Sequence, residues 1–167
     1  MKKTLEVLNR LKTNKVINDY AIGGAMGALF YIESVSTMDL DVFVLFPDES
    51  NLLPLAPIYA QLKDWGYRED DNEKECINIE GTPVQFLPAY DELLQEALTF
   101  ARTFDYQGVA TKVMLAEYLA VICVNTGRVK DKLRVDMFLS SEGFDVVKFN
   151  MLLAKFGLKE RFEQWKM

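Results

Sequence analysis

The sequence predicts an α+β fold, in which a sheet with helices is followed by a helical C-terminal third. Short apolar segments bounded by turn residues occupy the first two thirds of the chain, which is typical of strands in a sheet. From residue 113 onward, apolar residues recur at helical spacing instead. Hydrophobic residues make up 50% of the 167 positions, which is enough for one sizeable core.

The elements of the first part follow from apolar spacing and from turn residues. Leu5, Leu8 and Leu11 share one side of an amphipathic helix. Gly81 and Thr82 form a tight hairpin signal between two short apolar segments. The pattern of residues 100–109 is ambiguous, with a turn at Gly108. The predicted strands cover residues 19–22, 39–46, 76–80 and 83–87, and the predicted helices cover residues 4–16, 25–32, 55–65 and 90–97.

The last third of the chain is predicted to be helical. Gly127 and Gly157 follow two of its helices, and a left-handed glycine commonly ends a helix. We therefore expect residues 1–110 to form an α/β core and residues 111–167 a helical extension packed on it, without a flexible linker between them. The predicted helices cover residues 114–125, 129–139 and 144–156, and a short one begins at residue 159.

Composition and charge exclude several classes of function. The chain contains no histidine, which excludes Ser-His-Asp and Cys-His catalysis and nearly all catalytic zinc sites. A net charge of -6 argues against a simple DNA-binding surface. We expect no membrane association, because no apolar run reaches roughly 18 residues and the N-terminus lacks an apolar signal region. Cys76 and Cys123 are isolated, which favours the reducing cytoplasm.

The most informative feature is a pair of acidic residues on an apolar strand. Asp39 and Asp41 point to the same face of that strand, roughly 7 Å apart, because successive side chains alternate. Two carboxylates at this spacing are suited to share Mg²⁺, or alternatively Mn²⁺, and without a cation they repel each other. The structural alternative is that both acids are simply solvated at the end of the strand.

A double-glycine turn precedes the helix predicted for residues 25–32. Gly23 and Gly24 allow a ligand to approach the backbone without meeting a Cβ atom. The N–H groups from Gly24 and Ala25 onward then point out of the helix N-terminus, an arrangement that binds phosphate. Beside a cation held by the acid pair, such a turn would complete a nucleoside triphosphate site. The structural alternative is a plain turn.

These motifs resemble the signature of the DNA polymerase beta-type nucleotidyltransferase superfamily, in which an apolar strand, Gly-Gly or Gly-Ser, a helix and an Asp-x-Asp strand follow one another. Here Ile22-Gly23-Gly24 is followed after fourteen residues by Asp39-Leu40-Asp41. The resemblance implies a mixed sheet flanked by helices, and transfer of a nucleoside monophosphate from a nucleoside triphosphate to an acceptor hydroxyl on RNA, protein or a small molecule. It implies catalytic and metal-binding roles for Asp39 and Asp41, and nucleotide binding by Gly23, Gly24, Ala25 and Thr37.

Later segments resemble small bacterial nucleotidyltransferase-like proteins, some of which are toxins of abortive-infection toxin–antitoxin systems. This resemblance implies a triphosphate contact for Lys112 and a substrate-phosphate contact for Arg128 and Lys130. It also implies a cognate antitoxin or a regulatory protein as partner. The structural alternative is a set of solvated basic residues at helix ends. The segments are Thr111-Lys112-Val113, Glu117-Tyr118-Leu119 and the stretch from Gly127 to Lys132.

One position departs from the family pattern. The family carries a third catalytic carboxylate on a later strand, and the corresponding residue here is Gln85. A glutamine amide can contact a metal but cannot act as a general base. Glu80, across the hairpin, is the other candidate, and Arg134 stands where relatives often carry a further acid. The sequence thus leaves open an active nucleotidyltransferase, a catalytically degenerate nucleotide-binding or regulatory protein of the same fold, and an interaction protein without a ligand.

Overall fold

The computed structural model describes residues 1–33, 37–46 and 54–165 and shows a mixed sheet with helices on both faces. The strands are β1 (Asp19–Ile22), β2 (Leu40–Leu45), β3 (Arg68–Glu69), β4 (Cys76–Ile79), β5 (Thr82–Pro88), β6 (Arg102–Tyr106) and β7 (Val109–Val113). The helices are α1 (Lys2–Thr13), α2 (Gly24–Ala28), α3 (Ala56–Asp64), α4 (Glu92–Thr99), α5 (Ala116–Thr126), α6 (Val129–Ser140), α7 (Val146–Lys155) and α8 (Lys159–Trp165).

Across the described residues, the strands lie in the order β3-β4-β5-β2-β1-β7-β6. Strand β2 is parallel to β5 and β1 is parallel to β7, whereas the other neighbouring pairs are antiparallel. The glycine turn after β1 therefore lies in the middle of the sheet, directly beside β2.

Successive side chains of β2 point to opposite faces of the sheet. Leu40, Val42 and Val44 are buried on one face in a core with α1 and α3. Phe43 points to the other face and belongs to a core with α4 and the C-terminal helices. Asp41 lies between Leu40 and Val42 along the strand, so its side chain shares the face of Phe43.

The first core lies between the sheet and helices α1 and α3. Leu5, Leu8 and Leu11 on α1 are at most 1% exposed, and each leucine buried in this way contributes about 2 kcal/mol to folding. Thr4 Oγ1 donates a hydrogen bond to the carbonyl oxygen of Ile79 at 3.1 Å, which places the start of α1 over β4.

The second core joins the sheet to the C-terminal helices. Phe138 on α6, Phe149 on α7 and Phe162 on α8 are buried in the same cluster as Phe43 of β2 and Met114, which follows β7. The rings of Phe149 and Phe162 meet edge to face with their centroids 5.2 Å apart. The expected division at residue 110 falls inside β7, and this core is shared by both sides of it.

The predicted α+β class is confirmed. The strands that the sequence did not predict were missed for physical reasons. The ambiguous segment 100–109 contains β6 and the turn to β7, and β6 lies at the edge of the sheet with no buried side chain to produce an alternating pattern. Strand β3 escaped prediction because it has two residues, both exposed. Gly127 and Gly157 have left-handed φ angles of 78° and 67°, as expected for helix ends. Within the described ranges, no helix has the length and apolar character needed to cross a membrane.

Candidate nucleotide-binding site

Asp41 lies in the middle of the sheet, beside the glycine turn. Its Cα pairs with that of Gln85 on β5, and Gln85 pairs in turn with Cys76 on β4. On the other side, the Gly23 N–H donates to the Asp41 carbonyl oxygen at 3.0 Å, so the β1–β2 ladder continues into the turn. Because paired residues point to the same face, Asp41, Gln85 and Cys76 form one row across three strands.

The Asp41 carboxylate packs directly against Gly24. A Cβ atom built on Gly24 would lie 1.7 Å from Asp41 Oδ2, and Gly24 has a left-handed φ of +55°. A Cβ atom on Gly23 would lie 2.4 Å from the ring of Phe43. Both positions therefore require glycine for packing, and the sequence-predicted turn and acid are in contact.

The first turn of α2 leaves its backbone donors beside this carboxylate. The first hydrogen bond within the turn runs from the Gly27 N–H to the Gly23 carbonyl oxygen at 2.7 Å. The N–H groups of residues 24–26 precede that bond and have no acceptor within the helix. Ala25, predicted to bind nucleotide through its backbone, is one of these residues, and its side chain is buried.

Asp39 is the second acid of the pair and is oriented by Thr37. Thr37 Oγ1 donates to Asp39 Oδ1 at 2.7 Å and also contacts the Asp39 carbonyl oxygen at 3.2 Å. Thr37, predicted to bind nucleotide, therefore acts on the acid pair in this structure. The second carboxylate oxygen of Asp39 is not used in this contact, and it accepts no hydrogen bond from the described part of the chain.

The two acids affect each other electrostatically. Burial, followed by the negative charge of Asp39, raises the pKa of Asp41 to about 6. Among the described residues, no donor forms a hydrogen bond with the Asp41 carboxylate to oppose this shift. Near neutral pH Asp41 is therefore mostly ionised, but ionisation costs more free energy than for an ordinary aspartate, and a bound cation would offset that cost.

The start of α6 presents positive charge to Asp41. Arg128, Arg134 and Lys130 each lower the pKa of Asp41, although less than burial and Asp39 raise it. The buried carboxylate of Asp131 accepts hydrogen bonds from Arg128 Nε at 2.8 Å and from Arg134 Nη1 at 3.4 Å. Arg128 and Lys130, predicted as phosphate contacts, are thus brought to the same side of the molecule as the acid pair.

Arg134 and Asp131 were not among the predicted site residues. Residues 128, 131 and 134 are spaced by three along the chain, which places them on one side of a helix. That spacing was visible in the sequence. The spacing does not show whether these side chains lie near Asp41, because that depends on how α6 packs against α5.

Gln85 occupies the position beside Asp41, as the alignment of motifs implied, and its amide Nε2 donates to Glu75 Oε2 at 3.2 Å. Glu80 lies elsewhere: its carboxylate accepts a hydrogen bond from the Tyr67 hydroxyl at 3.0 Å and lies 3.8 Å from Lys3 Nζ. Glu80 is therefore engaged at the β4–β5 turn near α1. Within the described ranges, no group of three or more acidic or cysteine side chains is arranged to hold a metal ion.

Lys112 is not brought to the acid pair. Its ammonium group forms an ion pair with Asp19, which Lys12 of α1 also contacts at 2.7 Å. Asp19 pairs with Leu45, four residues along β2 from Asp41, a separation of roughly 13 Å. Burial raises the pKa of Asp19, but hydrogen bonds from Lys112, Lys12 and the Tyr20 N–H outweigh it and lower that pKa below its ordinary value.

No protein-family model and no curated protein matches this sequence. Solved structures do match it. The solution structure of the antibiotic-resistance factor ANT(2'')-Ia aligns over 98% of this chain and 93% of its own, with 12% identity and a TM-score of 0.54. The crystal structure of ANT(2'')-Ia in complex with adenylyl-2''-tobramycin aligns over 93% of this chain and 97% of its own, with 13% identity and a TM-score of 0.56.

This chain has the nucleotidyltransferase fold. A third structure agrees with that assignment, an antigenic nucleotidyltransferase-like protein from Paracoccidioides brasiliensis. It is 15% identical, with a TM-score of 0.55, and the alignment covers 98% of this chain and 92% of that protein. The nucleotidyltransferase fold implied by the sequence motifs is therefore found over nearly the whole chain.

A divalent cation fits the acid pair of this nucleotidyltransferase fold. The carboxylates of Asp39 and Asp41 lie close enough to raise the pKa of Asp41, and the Asp41 carboxylate has no hydrogen-bond donor among the described residues. Mg²⁺ is commonly held by one or two carboxylates, with substrate phosphates and water completing its shell. The pair therefore suits a cation that is shared with a nucleotide.

Proposed function

We propose that this protein is a Mg²⁺-dependent nucleotidyltransferase, which transfers a nucleoside monophosphate from a nucleoside triphosphate to an acceptor hydroxyl. The observation that carries this proposal is the contact between the Asp41 carboxylate and Gly24, with Asp39 beside it and no hydrogen-bond donor to Asp41 in the described chain. The nucleotidyltransferase fold supports the same reaction class.

In this proposal, Asp39 and Asp41 hold the cation, and Thr37 keeps Asp39 in the orientation needed for it. The N–H groups of residues 24–26 donate to phosphate oxygens of the triphosphate. When bound, Mg²⁺ neutralises negative charge on the phosphates and on the leaving pyrophosphate.

The reaction forms a bond between the acceptor oxygen and the α-phosphorus and breaks the bond from that phosphorus to the bridging oxygen of the β-phosphate. Most of the rate enhancement would come from positioning and from charge neutralisation. The acceptor hydroxyl loses its proton to solvent water in this step. Because the Gln85 amide cannot accept a proton, we expect turnover to be slower than in a variant with an acid at residue 85.

The acceptor is proposed to be RNA, a protein or a small molecule. ANT(2'')-Ia has been solved with an adenylylated small molecule, adenylyl-2''-tobramycin, so hydroxyl-bearing small molecules such as tobramycin belong in the acceptor set. The toxin–antitoxin role, with a cognate antitoxin as partner, stays a prediction that rests on the resemblance of the C-terminal segments.

The direct test is label transfer from each of four α-³²P-labelled nucleoside triphosphates, with Mg²⁺ or Mn²⁺, to pools of RNA, proteins and hydroxyl-bearing small molecules. We expect transfer by the wild-type protein and none by Asp41→Asn. Lys132→Gln, a charge removal elsewhere on α6, is the matched control and should transfer like the wild type. Equal transfer by wild type and Asp41→Asn would contradict the proposal.

A second function is favoured by one observation. Gln85 stands beside Asp41, and its amide is hydrogen-bonded to Glu75, so a catalytically degenerate protein of the same fold would bind nucleotide without transferring it. A ligand at a hundred times its Kd stabilises a protein by about 2.7 kcal/mol. A rise in melting temperature with Mg²⁺ and nucleotide, lost in Asp41→Asn and without transfer to any acceptor, would identify this second function.

A further inference from the structure

Strand β6 forms one edge of the sheet. In the part of the chain that the structure describes, it is paired on one side only, with β7, so the backbone N–H and C=O groups on its other side have no strand partner. The opposite edge is β3, which has only two residues. Strand β6 has five, which is the usual length of a strand in a sheet. One edge of the sheet is therefore long enough to accept a further strand.

Strand β6 lacks the features that normally keep a sheet edge from pairing. Natural edge strands carry lysine or proline, contain a bulge or are very short. The residues from Arg102 to Tyr106 include neither lysine nor proline. They pair one for one with the residues of β7, which leaves no bulge. Threonine, phenylalanine and tyrosine within the strand favour extended structure, so this edge is chemically open to strand addition.

We propose that β6 is a dimerisation surface, on which a second copy of this chain adds its own β6 in antiparallel orientation. The two-fold axis passes beside Phe104, so that two seven-stranded sheets become one continuous sheet. The proposal does not rest on the proposed function, because β7 separates β6 from β1 and its glycine turn.

Electrostatics favours this strand as the place where two copies meet. Each copy carries a net charge of -6, so two copies repel each other and approach most readily where the surface has no excess acid. Strand β6 carries one positive and one negative residue, Arg102 and Asp105, and both are exposed. Its net charge is therefore zero, in contrast to that of the whole chain.

The order of side chains along β6 selects one register for the pair. Residues that face each other in an antiparallel pair lie on the same face of the sheet, so the two-fold axis passes at the level of one residue and not between two residues. An axis at Arg102 or at Asp105 would place like charges directly opposite each other, which is unfavourable. The axis at Phe104 is the one that pairs all five residues of β6 with one another.

At this register, the side chains of β6 face suitable partners. Phe104 faces its own copy at the centre, and Arg102 faces Tyr106, which allows a cation–π contact. On the other face of the sheet, Thr103 faces Asp105, so the hydroxyl group can donate to the carboxylate. These groups are available, because within the described chain the side chains of Arg102 and Thr103 form no hydrogen bond. Asp105 uses only Oδ1, in the turn that follows the strand.

Sedimentation equilibrium of the full chain measures the dimer directly. We expect the average mass of the wild type to rise with protein concentration from 19.1 kDa toward twice that value. Thr103→Glu should weaken dimerisation about tenfold, because it puts a second negative charge opposite Asp105 and the two-fold axis repeats that pair. Within one copy, Thr103 pairs with Lys112, so this change should not destabilise the monomer. A wild type that stays at 19.1 kDa at every concentration overturns the proposal.

Two further variants separate the effect of β6 from that of net charge. Asn150→Glu is the matched control, because it adds the same charge to the exposed surface of α7, away from β6, and it should dimerise within twofold of the wild type. Equal weakening by Asn150→Glu and Thr103→Glu overturns the proposal. Thr103→Glu/Asp105→Lys pairs opposite charges again and should restore dimerisation. A double variant that folds but dimerises as weakly as Thr103→Glu overturns the register.

Disulfide crosslinking tests the register independently. Thr103→Cys mixed with Asp105→Cys should give a crosslinked dimer on oxidation, because facing Cα atoms of an antiparallel pair lie about 4.5–5.5 Å apart, within the range of a disulfide. The native Cys76 and Cys123 are buried and should not compete. Either variant alone should not crosslink, because its two cysteines would lie diagonally across the pair, roughly 7–8 Å apart. Crosslinking of either variant alone as efficiently as of the mixture overturns the register.

Discussion

The carboxylate of Asp41 occupies the space that any side chain at residue 24 would need. A Cβ atom on Gly24 would lie 1.7 Å from Asp41 Oδ2, and the φ of +55° also disfavours other residues. One backbone position in the glycine turn therefore determines where the Asp41 carboxylate can lie.

Gly24→Ala should displace Asp41 and destabilise the fold. The left-handed φ alone costs about 1 kcal/mol, and the steric overlap adds to it. Gly66→Ala is the matched control, since Gly66 has a φ of +88° and nothing within 4 Å of its added Cβ. We expect Gly24→Ala to lower the free energy of unfolding in urea more than Gly66→Ala, and to abolish the Mg²⁺–nucleotide melting shift that Gly66→Ala retains. Equal losses of stability would show that the contact with Asp41 is unimportant.

Asp41 should make the free protein less stable as pH rises. Its pKa of about 6 in the fold is above its ordinary value of 3.8, so its favourable contribution is fully present below pH 3.8 and is lost as pH rises through 6. The difference corresponds to up to about 3 kcal/mol. Asp41→Asn should therefore be more stable than the wild type at pH 8 and similar to it near pH 4.

Urea unfolding of both proteins from pH 4 to pH 8, without metal, measures this effect. Asp64→Asn, at the exposed end of α3, is the control and should follow the wild-type curve. Parallel pH curves for the wild type and Asp41→Asn would contradict a raised pKa. Mg²⁺ should bind more tightly at pH 8 than at pH 5, because it competes with a proton on Asp41.

Gln85→Asp should place a third carboxylate beside Asp41, because the Cα atoms of the two residues pair across β2 and β5. We expect tighter Mg²⁺ binding and at least tenfold faster label transfer, since a carboxylate can act as a general base. We also expect lower stability without metal, because like charges repel. Gln107→Asp, at the exposed β6–β7 turn, is the control. Unchanged transfer and metal affinity in Gln85→Asp would reject a catalytic position at residue 85.

Lys112→Met tests the triphosphate contact that the sequence motifs implied for Lys112. In the structure this side chain lies away from the acid pair. Lys112 pairs with Asp19 on β1, so its removal should lower stability by up to about 1 kcal/mol. Nucleotide affinity should stay within twofold of the wild type, because Asp19 and Asp41 are separated by four positions of the β1–β2 register. A tenfold loss of nucleotide affinity at unchanged stability would show that Lys112 does contribute to nucleotide binding.

Sequence reasoning was most successful where the relevant residues are close along the chain. The proximity of Asp39 to Asp41 and the turn at Gly23 and Gly24 follow from their closeness along the chain and from the backbone freedom of glycine. Strand β6 was missed because its residues carry no alternating pattern of burial.

Contacts between distant segments were harder to predict. Lys112 and Glu80 were selected from motif order, and their side chains are instead engaged by Asp19 and Tyr67. Arg134 appeared only as a departure from a family pattern, yet its charge acts on Asp41. Such contacts depend on strand register and helix packing, which the local spacing of residues does not specify.

The amino-acid sequence by itself determined the local chemistry of this protein, namely two acids at the start of a strand, a turn that requires glycine, and basic residues after Gly127. Only the tertiary structure decided that the Asp41 carboxylate rests against Gly24 and that the positive charges at the start of α6 act on it. The reason is that strand and turn geometry repeats over a few residues, whereas the direction of α6 is set by the burial of Phe138 and its neighbours in the core shared with the sheet.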